Sequence, residues 1–115
     1  ELLRRQDRRA DAVKLYKELA SDVRTKEGSA AAYYVLEDVF AGGDMDKAEK
    51  VIFAYSEREP QAYWLAKAFI LLGDVYVRKG DNFQARATYQ SVADGYSPAD
   101  DGIVDEAKER IAKLN

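Results

Sequence analysis

The sequence contains no cysteine and no histidine. Those two absences together remove disulfides, thiolate and imidazole metal ligands, cysteine nucleophiles and imidazole general bases. Carboxylates and lysines remain, but they form no nucleophile–base pair, so the expectation is a protein that is not an enzyme. Only two prolines and seven glycines interrupt the chain, and its Ala, Leu, Glu, Lys and Arg content favours helix over strand. Long hydrophobic runs are missing: stretches such as Ala68 to Leu72 fall far short of the ~20 residues a membrane span needs. Excess positive charge is missing too. A net charge of -3 speaks against phosphate-backbone binding, which needs a concentrated basic surface. Arg4, Arg5, Arg8 and Arg9 cluster near the start, but Asp7 and Asp11 lie among them and the segment reads as a solvated helix face.

What is present suits one folded domain. The 115 residues are 47% apolar and 34% charged, enough for a continuous core and too few for two independent ones. No Gly-x-x-x-x-Gly-Lys loop or Gly-x-Gly-x-x-Gly fingerprint occurs, so no nucleotide cofactor is expected. Asp100, Asp101, Asp105 and Glu106 lack the calcium-loop spacing and read as charges at a helix start, as do Asp44 and Asp46. Glu57 and Glu59, in a Ser-Glu-Arg-Glu-Pro stretch, read as a solvated helix end rather than an acid–base pair.

Internal repetition organises the chain. A shift of 37 residues lays Gly43-Asp44-Met45-Asp46-Lys47-Ala48 over Gly80-Asp81-Asn82-Phe83-Gln84-Ala85. The same shift lays Val35 over Leu72, Val39 over Tyr76, Ile52 over Tyr89 and Tyr55 over Val92. A further copy begins near Asp7, with Ala12, Tyr16 and Leu19 in the places of Ala85, Tyr89 and Val92. Each copy reads as two helices joined by a tight turn. The stripe of apolar residues from Ala68 to Val77 is wide enough for a helix packed on two sides. Gly80 and Asp81 end that helix and cap the next. The expected helices lie near 7–24, 29–41, 44–58, 61–79, 82–95 and 102–114.

Leu72-Gly73-x-x-Tyr76, then Ala85, Tyr89 and Pro98, resembles the tetratricopeptide pattern of Leu-Gly-x-x-Tyr, Ala, aromatic and Pro, with Phe69 where that family often has Trp. The resemblance implies an all-α, right-handed superhelix of antiparallel helix pairs: a partial repeat at 1–28, repeats at 29–65 and 66–99, and a capping helix at 102–114. Small residues at Gly73 and Ala85 then allow close helix approach, while Leu36 stands where the family has a small residue and implies a splayed first pair. More narrowly, Tyr63-Trp64-Leu65-Ala66, Gly80 to Ala85 and Val104 to Lys108 are similar to the C-terminal end of long repeat proteins from Bacteroidetes-type bacteria. That similarity implies an exported, cell-envelope protein, and the start at Glu1, inside helix-forming sequence, is expected of a processed or excised chain.

The family binds protein segments in a concave groove lined by the first helix of each pair. Carried over position by position, the resemblance implies groove residues Tyr33, Glu37 and Phe40, with Ala30 and Ala41, in the first pair. In the second it implies Lys67, Ile70, Asp74, Val77 and Arg78. Asp74 and Arg78, four apart on one helix, are expected to pair with each other. Tyr33, Glu37 and Leu71 occupy the places of the family's carboxylate-gripping clamp, so that specificity is not expected. The expected partner is a peptide or helix of another protein. The alternative is a structural role as the terminal segment of a larger array or as a homodimer.

Overall fold

The computed structural model describes residues 24–97 and 101–114. They form five helices, with no strand among the described residues: α1 (Lys26–Ala41), α2 (Met45–Ser56), α3 (Ala62–Arg78), α4 (Asn82–Gly95) and α5 (Ile103–Ala112). The all-α class expected from composition is therefore observed. The helix expected near 7–24, with Ala12, Tyr16, Leu19 and the arginine cluster, lies outside the described residues, as do Pro98 and Asp100.

The 37-residue spacing read from sequence recurs in the helix limits. α2 and α4 begin 37 residues apart, and so do the last residues of α1 and α3. The two turns work alike. Gly43 and Gly80 have φ of +92° and +79°, a left-handed conformation in which any Cβ is strained. Asp44 and Asp81 then accept from the backbone N–H of Lys47 and Gln84 at 3.1 and 3.0 Å, satisfying a donor that helix geometry leaves free. Thr25 does the same for α1 through Gly28 N–H. Within the first pair Tyr55 Oη donates to the Ser29 carbonyl at 2.8 Å, and from the connection to α3 Gln61 N–H donates to Ser29 Oγ at 3.0 Å. The buried Ser29 thereby ties the 57–61 connection onto α1. The helix limits put the division between pairs in that connection, so a boundary between 65 and 66 falls inside the first turn of α3.

Packing divides the helices into two layers. α3 contacts α1 on one side and α5 on the other, and α2 and α4 lie behind, each wedged between two members of the first layer. One core, with Ala32, Leu36, Ala48, Ile52, Tyr55, Leu72 and Val75, joins α1, α2 and α3. A second, with Ala66, Ile70, Ala85, Tyr89, Val92, Ile103 and Ala107, joins α3, α4 and α5. Phe69 and Tyr76 touch both cores, which explains why α3 needs so wide an apolar stripe. Outside the cores, Lys79 bonds Asp46 at 2.7 Å and Glu49 at 2.9 Å, and Tyr76 Oη donates to Glu49 at 2.8 Å. Those contacts hold Glu49 below the usual carboxylate range, chiefly through the Lys79 hydrogen bond.

The two pairs differ at one matched contact. In α3, a Cβ on Gly73 would come within 2.7 Å of three ring carbons of Tyr89 in α4. In the first pair the same positions hold Leu36 and Ile52, both buried. A large side chain on the first helix faces a smaller one on the second, and the α1–α2 contact is the less extensive of the two. Gly73→Leu should cost roughly 3 kcal/mol by overpacking, seen as a lower melting temperature; an unchanged melting curve would show that Tyr89 can move aside freely. Deleting residues 103–115 should uncover Ile70 and Tyr89 and yield a less stable, associating protein, read by thermal melting and light scattering.

Candidate functional site

The face formed by α1, α3 and α5 carries a cleft of ≈ 320 Å³. Its wall contains Phe40 from α1, Asp74, Val77 and Arg78 from α3, Tyr89 from α4, Arg110 from α5 and Lys113 and Leu114 just beyond it. Phe40 and Val77 are equivalent positions in the two matched units, and Leu114, just beyond the end of α5, joins them to give the cleft its apolar part. Val77 is 40% exposed, while Phe40 and Leu114 are half-buried.

A polar network closes one side. Arg110 grips Asp74 with two bonds, Nε to Oδ1 at 3.0 Å and Nη2 to Oδ2 at 3.3 Å, a forked geometry that suits guanidinium and carboxylate. Tyr89 Oη donates to the same carboxylate. Arg110 also meets Glu106 at 3.5 Å, and Glu106 lies 4.0 Å from Lys67. Asp74 raises the pKa of Arg110 through its hydrogen bond. Burial, followed by the bond to Asp74, raises that of the Tyr89 hydroxyl well above its ordinary 10.0. Arg78 does not pair with Asp74, as their spacing suggested; its guanidinium lies 4.9 Å from the centroid of the Phe40 ring.

Of the groove residues expected from sequence, Phe40, Asp74, Val77 and Arg78 meet in this cleft. Tyr33, Glu37 and Lys67 lie elsewhere. Tyr33 is buried in the first core, its hydroxyl donates to the exposed Glu37 at 3.4 Å, and Lys67 sits over the Tyr33 and Tyr63 rings. Burial, with Glu37 next, pushes the Tyr33 hydroxyl pKa up. Ile70 requires correction: at 2% exposure it belongs to the second core, because α4 and α5 cover that side of α3. Tyr89, Arg110, Lys113 and Leu114 were not expected in the site.

A second feature lies at the other end of α1 and α3. Trp64 packs against Tyr33, Tyr34 and Tyr63 with ring centroids 5.5, 5.7 and 5.0 Å away. Tyr34 and Tyr63 remain 58% and 37% exposed. Near the start of α5, Asp101 accepts from Ile103 N–H at 3.1 Å, as a capping group does. Among the described residues no group of three or more carboxylates is placed to hold a metal, and no helix is long and apolar enough to cross a membrane. No family model, curated protein or solved structure matches this chain.

The network has a pH consequence. Because the folded-state pKa of Tyr89 is raised, stability is intact below pH 10.0 and declines as pH rises beyond it. Asp74→Asn should cost about 1–3 kcal/mol and lower the Tyr89 pKa only part of the way, since burial remains. A tyrosinate absorbance titration checks this: the variant should ionise one more tyrosine at lower pH than the wild type, and superimposable curves would refute the coupling.

Proposed function

We propose that this chain is a protein-interaction module of the tetratricopeptide type, a right-handed superhelical array of helix pairs that holds a segment of another protein across its first-helix layer. The observation that carries this reading is the stripe of Phe40, Val77 and Leu114. These three residues, two of them at matched positions of successive pairs, stay apolar and partly open side by side in one cleft, where a solvated face would be polar. Such a stripe fits an amphipathic helix or extended strand, with the aliphatic and aromatic groups supplying most of the affinity. Two further features support the family resemblance: the alternating layers, with α3 between α1 and α5, and the Gly73–Tyr89 approach within one pair.

A second reading is favoured by the exposed Tyr34 and Tyr63 beside Trp64. That patch would be covered in a homodimer or by neighbouring repeats of a longer array, giving the chain a structural role. Light scattering on the isolated chain separates the two, because a persistent dimer disrupted by Tyr34→Ser favours the structural role.

The module reading is tested by selecting a random peptide library displayed on phage against the intact chain. Peptides should be enriched, and Val77→Asp should weaken their binding at least about tenfold while helicity and melting stay near wild type. No enrichment, or enriched peptides indifferent to Val77→Asp, would place any ligand elsewhere.

A further inference from the structure

The charges around the cleft specify the occupant more closely. Of the three cations that line it among the described residues, Arg110 is engaged by Asp74 and by Glu106. Arg78 and Lys113 are exposed, and neither pairs with a carboxylate among the described residues. Arg78 is held against the wall by the Phe40 ring, so its guanidinium edge is oriented before anything binds. Among the described residues, the only carboxylate lining the cleft, Asp74, is already bonded by Arg110 and Tyr89. In a chain whose net charge is -3, the cleft thus has a local surplus of positive charge beside an apolar stripe.

We propose that the cleft takes an internal, acidic amphipathic segment of a partner protein, with its apolar side chains on Phe40, Val77 and Leu114 and its Asp or Glu side chains at Arg78 and Lys113. This rests on the reading of the cleft as a partner groove. Guanidinium and carboxylate match in two-bond geometry, and exposed charges at a rim steer approach and fix register more than they add affinity. The apolar stripe supplies the affinity; the two cations choose the sequence. A nucleic acid fits less well, because the stripe presents one aromatic ring, Phe40, beside aliphatic groups, and Asp74 and Glu106 stand close by.

The test uses the same peptide selection on the intact chain. Peptides that depend on Val77 should carry Asp or Glu beside apolar residues, and their affinity should fall with added salt. Resynthesised with an amidated C-terminus, they should bind Lys113→Glu, and separately Arg78→Glu, about tenfold more weakly than wild type. Lys113→Glu leaves the Phe40 contact intact, so loss of binding there cannot be ascribed to a disturbed wall. A single-stranded RNA of 18 nucleotides should not displace them. Val77-dependent peptides with no acidic bias would overturn this inference and leave the groove reading standing. Dependence on a free terminal carboxylate, indifference to both charge reversals, or displacement by the RNA would overturn it as well.

Discussion

The Tyr89 ring lies where a side chain on residue 73 would be, and much of the molecule's second half is arranged around that contact. Close approach brings the phenol far enough across α3 for its hydroxyl to reach Asp74, which is the residue that Arg110 grips from α5. One missing side chain therefore lets α3 and α4 approach closely, and Asp74 adds a polar link to α5, which packs mainly on α4. The hydrophobic contribution of burying Tyr89 and Ile70 depends on the same spacing, because both lie in the core shared by these three helices. The cleft inherits it too: Tyr89, Asp74 and Arg110 form one of its sides.

The first unit solves the same packing problem with other volumes. Leu36 replaces Gly73 and Ile52 replaces Tyr89, so bulk is moved from the second helix to the first. Ala48 and Ala85 stay fully buried in both units, which shows which position tolerates no exchange. Among the described residues no counterpart of the Asp74–Arg110 clamp forms in the first unit, where the exposed Glu37 accepts from the Tyr33 hydroxyl. The Lys79, Glu49 and Asp46 contacts reinforce that half from outside instead.

The elements themselves were legible because their signals are local. Glycine followed by aspartate at 43–44 and 80–81 fixes two turns, and the apolar spacing along α3 and α4 fixes which residues turn inward. The site was only half legible. Phe40 and Val77 share a register position, so sequence could bring them together. Tyr33 and Ile70 share another, and there both side chains are buried rather than open to a groove. The Asp74–Arg110 clamp spans 36 residues and depends on where α5 docks. Spacing within one helix pointed to Arg78, and no local signal could say that Arg78 would lie over an aromatic ring while a distant arginine took its place.

The single tryptophan gives the molecule an internal optical marker. Trp64 stands among Tyr33, Tyr34 and Tyr63 at the junction of α1 and α3. Light absorbed by those phenols reaches an indole ring lying at contact distance, so its emission records whether the two helices are docked. The helix carrying Arg110 has no indole of its own and meets this cluster through Glu106 and Lys67. Tryptophan emission in the native sequence is thus chiefly a report on the α1–α3 junction.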